Sequence, residues 1–117
     1  MQRSLVGSEM CKETDTIAIS INKEKTKDAS IVCAKAADEL LTISDITASF
    51  VLGYMEDKRI CISGRSIGDI NVQVILEKLG GGGHITLAGA QVEGMTMAEV
   101  KQELIIRINE YFTEILP

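Results

Sequence analysis

The stretch Asn71-Val-Gln-Val-Ile-Leu-Glu-Lys-Leu-Gly-Gly-Gly-Gly-His84 sets a short amphipathic helix directly against four consecutive glycines and the chain's single histidine. Val72, Ile75, Leu76 and Leu79 fall at helical spacing. Asn71 suits the N-cap, and Gly80 is placed to end the helix in the left-handed conformation that glycine adopts cheaply. One glycine past a helix end is ordinary. Each further one adds backbone freedom that folding must remove, about 0.4–1 kcal/mol per site relative to alanine. No packing requirement asks for them in the sequence, so the run reads as a loop against which a ligand lies, its successive N–H groups turned toward an anion. It is not a Walker loop, which needs GxxxxGK[ST] between strand and helix and holds phosphate on a helix N-terminus. Nor is it a dinucleotide fingerprint, which also starts from a strand. Here the glycines follow a helix, whose C-terminal end is the negative pole. An anion would therefore be gripped by loop amides, by His84 and by a nearby base.

Working outward, Thr16-Ile-Ala-Ile-Ser-Ile21 alternates and predicts a strand, followed by a charged loop over 22–27 and an N-cap at Asp28. From Ala29 to Leu41 the apolar stripe is Ala29, Val32, Cys33, Ala36, Ala37, Leu40 and Leu41, a helix whose small residues let it lie close on a sheet. Residues 46–54 and 59–63 predict two strands joined by a polar turn over 55–58, a hairpin, with a turn over 66–70 beyond it. After the glycines, 88–93 predicts a strand ended by Gly94. Thr96 and Glu99 form a capping box. The last helix carries Met97, Val100, Leu104, Ile105, Ile108, Tyr111, Phe112 and Ile115 on its apolar side, with Ile106 pointing away. The order β-α-β-β-α-β-α describes an α/β (α+β) fold, one mixed sheet of about four to five strands flanked by three helices. Residues 1–14 show no period and read as an arm or the stub of a preceding region, leaving 15–117 as the domain.

Length and composition narrow the classes. At 117 residues with 45% hydrophobic content and one proline, the chain fits one ordered domain. Its net charge of −5 argues against a long nucleic acid, whose affinity rests on neutralising many phosphates. A small phosphorylated ligand held by one or two basic groups is compatible with that charge. Cys11, Cys33 and Cys61 form no CxxC pair, which argues against zinc, and an odd number of thiols suits a reducing cytosol. Cys33 and Cys61 fall on apolar positions and read as core fillers. No apolar run approaches the roughly 20 residues of a membrane-spanning helix, and the start carries no signal-peptide pattern.

Two constellations carry chemistry. His84 can donate to a phosphate oxygen or a base edge. Ser63-Gly64-Arg65-Ser66, placed near a strand end, offers a guanidinium and hydroxyls suited to phosphate or to a purine edge. Asp69 and Glu77 read as a cap and a solvated helix position. One histidine without an acidic cluster cannot build a two-metal hydrolase centre, and no serine or cysteine has an evident activating base. The chain's own residues offer no metal site and no catalytic group.

The stretch from Ile62 to His84, with its S-x-R-S, I-N-V-Q and GGGGH, resembles the DHH-associated domain, first subtype, and more narrowly that of the GdpP-type cyclic-di-AMP phosphodiesterases. The resemblance extends over residues 16–114. It implies a division of labour in which a separate DHH domain holds two manganese ions and the attacking water, while the associated domain closes the cleft and binds nucleotide. Carried over, Gly81, Gly82, Gly83 and His84 would contact phosphate and sugar-base portions, with Arg65, Ser66 and Asn71 as further substrate contacts. The ligand would be cyclic-di-AMP, pApA or a short oligonucleotide, and the partner the parent's DHH domain; a homodimer stays open. The parent would cleave cyclic-di-AMP to linear pApA on the cytoplasmic side of a membrane. Related domains in oligoribonucleases and pAp phosphatases give an alternative, as does a free-standing nucleotide-binding module. Leu87 departs from the small or polar residue that the family often carries there.

Overall fold

The computed structural model describes residues 9–10, 17–23, 28–43, 46–55, 58–68 and 70–115. Its elements in chain order are β1 (Glu9–Met10), β2 (Ile17–Asn22), α1 (Ala29–Leu40), β3 (Ala48–Tyr54), β4 (Ile60–Ser66), α2 (Val72–Glu77), β5 (Gly82–Gly83), β6 (Leu87–Val92) and α3 (Met97–Ile115). One mixed sheet runs β1-β2-β3-β4-β6-β5. β2 and β3 are parallel and joined through α1, and the other neighbouring pairs are antiparallel. The four longer strands and three helices are those expected. The two additional strands have two residues each: β1 arises in the segment read as an arm, and β5 inside the glycine run.

At β3 the sheet is covered on both faces, so this strand is buried throughout Ala48–Gly53 instead of alternating. Phe50 and Leu52 face the larger core with Ile60 and Ile62 of β4, Val72, Ile75 and Leu76 of α2, and Val100, Leu104 and Ile108 of α3. Val51 and Cys61 face α1, where Ala29, Cys33, Ala37 and Leu40 complete a second, thinner core. Val32, expected in that stripe, is 36% exposed; the rest of the stripe meets the sheet, with Ala36 and Leu41 partly buried at its edge. Ser49 looks into this thin layer, and its hydroxyl donates to the Ala37 carbonyl at 2.6 Å. Asp28 stands at the N-cap of α1 without a side-chain capping bond. Asn71 does cap α2, its Oδ1 accepting from the Val74 N–H at 3.1 Å. Thr96 and Glu99 exchange both bonds of their capping box. Cys11, Asp69 and the side chain of Ile115 lie outside the described residues. No helix among those described is long and apolar enough to cross a membrane.

What brings α1 so near is the pair Gly53 and Cys33. A Cβ on Gly53 would stand 2.5 Å from the Cys33 sulfur, so only glycine lets that thiol rest on β3. The two buried thiols of Cys33 and Cys61 are free and 3.8 Å apart. Their hydrogen-bond contact, with burial, pushes the Cys33 thiol well above the ordinary range and keeps it neutral. Gly53→Ala is expected to cost about 1–3 kcal/mol through overpacking. Adding Cys33→Ala should recover part of that loss in a denaturant-unfolding double-mutant cycle, whereas strictly additive losses would exclude this contact as the cause.

Candidate functional site

The glycine run begins as a helix terminator. Gly80 has φ +88°; its N–H donates to the Glu77 carbonyl at 3.1 Å, and the Gly81 N–H donates to that of Leu76 at 2.9 Å. These are the paired bonds of a Schellman end. Two of the four glycine amides are therefore spent on helix carbonyls, which corrects the expectation of a continuous row of N–H groups aimed at an anion. The expectation that packing does not ask for glycine is corrected as well. A Cβ on Gly81 would lie 2.1 Å from the Gly89 carbonyl oxygen, and one on Gly83 would lie 2.4 Å from that of Leu87. The run lies directly on the backbone of β6. Gly82 alone among the four has neither reason: no positive φ, and nothing within 4 Å of an added Cβ.

Strand register then orders the neighbours. Ser63 of β4 pairs with Gly89 of β6, and Gly89 with Gly82 of β5, giving one row across three strands. Arg65 pairs with Leu87, and the His84 N–H donates to the Leu87 carbonyl at 2.7 Å, giving a second row. On the α1 side of the sheet, α1 packs over β3 and β4 but leaves Leu87, Gly89 and Gln91 of β6 exposed. The result is an open groove of about 530 Å³ with Ser63, Gly89 and Gln91 in its floor and Ser30 of α1 facing Gly80–Gly82.

The candidate residues separate accordingly. Gly81 and Gly82 line the groove. Arg65 and His84 share the adjacent row. Arg65 lies inside β4 and not in the turn beyond it. Its Nε donates to Asp38 of α1 at 3.0 Å and its Nη1 to the Gly64 carbonyl at 2.8 Å, with its side chain 12% exposed. His84 is exposed, and its imidazole has no hydrogen-bond partner among the described residues. Ser66 points to the opposite face, where its hydroxyl donates to the Ile70 carbonyl at 2.7 Å and accepts from the Gly68 N–H. Asn71 uses its side chain as a cap, and its N–H donates to the Tyr111 hydroxyl at 3.0 Å. Glu77 accepts from Gln73 on the exposed side of α2. Ser30, Gly89 and Gln91 were not singled out in the sequence, since nothing local marks which strand pairs with β5. Ser63 was legible through the two-residue period that puts it on Arg65's face. No group of three His, Cys, Asp or Glu among the described residues is placed to hold a metal ion.

A mixed sheet with a glycine-ended helix at its edge, left open on one face over β6, is an architecture that recurs as part of longer chains. The exopolyphosphatase-related protein of Bacteroides fragilis shares it with a TM-score of 0.72 at 20% identity, over 92% of this chain and 32% of that one. The pGpG-specific phosphodiesterase PggH of Vibrio shares it at 0.58 and 15% identity, over 91% and 36%. The chain belongs to the DHHA1 domain family, which matches residues 15–114. It is 42% identical over 95% of its length to the cyclic-di-AMP phosphodiesterase PdeA of Listeria monocytogenes, and 47% identical over 82% to GdpP of Geobacillus thermodenitrificans. It spans 17% and 15% of the lengths of those two proteins.

The glycines are expected to respond unequally to alanine. Gly81→Ala and Gly83→Ala should lower the urea midpoint most, and Gly80→Ala by about 1–2 kcal/mol for its left-handed backbone. Gly82→Ala should leave the midpoint within about 0.5 kcal/mol. A uniform loss across the four would contradict the contacts described.

Proposed function

We propose that this chain is the substrate-recognition domain of a cyclic-di-AMP phosphodiesterase, acting from the cytoplasmic side of a membrane and opposite a DHH domain. That domain supplies the two manganese ions and the water that open the cyclic dinucleotide to linear pApA. The observation that carries this reading is the identity shared, over most of the chain, with phosphodiesterases of that one substrate. The geometry agrees with it. The groove has the volume of a small-molecule site, with Arg65 and His84 in one row beside it as donors for phosphate. Gly82 is a glycine that folding does not need, facing that groove. The negative net charge disfavours extended nucleic acid as the ligand.

Titration of isotopically labelled protein with cyclic-di-AMP, pApA and a short RNA tests the reading. Amide shifts should concentrate at residues 80–84 and around Arg65, larger for the dinucleotides than for RNA. With manganese present, the purified 117-residue chain should show no turnover. Shifts confined to other surfaces, or hydrolysis by this chain alone, would overturn it.

A further inference from the structure

Cys33 of α1 and Cys61 of β4 bring two free thiols to 3.8 Å inside the thinner core. Contact at that distance leaves no room for an atom between the sulfurs. The residue paired with Cys61 on β3 is Gly53. A Cβ there would stand 2.5 Å from the Cys33 sulfur and 3.5 Å from that of Cys61. Glycine therefore opens the space in which the two sulfurs meet. Two alkyl side chains would fill the same volume, but only two thiols can give up electrons across it.

The pair is approached from one side. Cys33 is 0% exposed and Cys61 1%, yet Cys61 pairs with Gln91 of the groove floor and itself lines the groove. Cys33 lies behind it, under α1. The hydrogen-bond contact with Cys33 also pulls the Cys61 thiol down from its ordinary range, and the thiolate is the form that reacts with oxidants. A thiol open to the groove with a second thiol touching it is the arrangement of a reactive and a resolving cysteine.

We propose that Cys33 and Cys61 form a thiol-oxidation site, which a peroxide entering through the groove converts to a disulfide between α1 and β4. The Cys61 sulfur attacks one peroxide oxygen. The O–O bond breaks, hydroxide leaves and takes up a proton as water, and Cys61 becomes a sulfenic acid. The Cys33 sulfur then attacks that of Cys61 and gives up its proton, while the S–O bond breaks and a second water leaves. Two thiols lose two electrons, and the peroxide gains them. Closing from contact to a bond of about 2.05 Å draws α1 onto β4. Ser30 and Asp38 ride on that helix, so the redox state of the pair sets how firmly the groove wall and the partner of Arg65 are held. The proposal stands independently of which ligand the groove takes.

The test uses the full chain carrying Cys11→Ser, so that the pair supplies its only thiols. Hydrogen peroxide added to the folded protein should remove about 2 Da, peptide mapping should link Cys33 to Cys61, and dithiothreitol should restore the starting mass. The oxidised protein should unfold at higher urea, because the bond restrains the unfolded chain, and its α1 amides should exchange several-fold more slowly. Adding Cys33→Ala should leave a sulfenic acid on Cys61 that dimedone traps, whereas adding Cys61→Ala should leave Cys33 unreacted. The reverse pattern would overturn the order of attack. A gain of about 16 or 32 Da without the link, or a link formed only in urea, would overturn the site. A linked protein whose α1 amides exchange as before would overturn its hold on the groove wall.

Discussion

Everything at the ligand end of this domain depends on backbone lying against backbone, where the glycine run meets β6. The carbonyl of Gly89 occupies the space that any side chain at position 81 would need. Because that space is given up, α2 can end on the sheet, hand its last carbonyls to the next two amides, and continue as an edge strand. The groove is a by-product of this join. It exists because a helix terminator and a strand pairing are fused within four residues, leaving no room for a loop that would otherwise fold over the sheet.

The opposite wall is set by a similar economy of volume. α1 presents alanines and a cysteine to the sheet, and Gly53 lets it settle there. A helix carrying leucines at those positions would ride higher and spread its contacts farther. As it is, α1 covers two strands and stops short of β6. Ion pairing ties its far end to the site, since Asp38 holds the guanidinium of Arg65 at the border of the uncovered region.

The sequence was most legible where periodicity and chain order coincide. The α2 and α3 stripes, the β3–β4 hairpin and the Thr96–Glu99 box all express local rules, and the structure repeats them, as it does the α1 stripe apart from Val32. It was least legible where meaning depends on which strands become neighbours. A run of glycines looks like one object in sequence, but three of its members answer to conformation or contact and one does not. Likewise Ser63 and Ser66 flank Arg65 almost symmetrically in the chain, and only the strand that carries them onto opposite faces separates their roles. β4 runs three residues past the expected end at 63 and takes in Ser66, the first residue of the expected turn.

The open position at Gly82 bears on how this domain would change over many generations. Variants at 81 and 83 are removed by misfolding whatever the protein does, so their identity records only the need to fold. Position 82 is exempt from that filter. In a lineage that no longer required the groove, larger residues would accumulate there first, with the fold intact. The residue at 82 is thus a local register of whether the groove is still in use, one that can be consulted without knowing what occupies it.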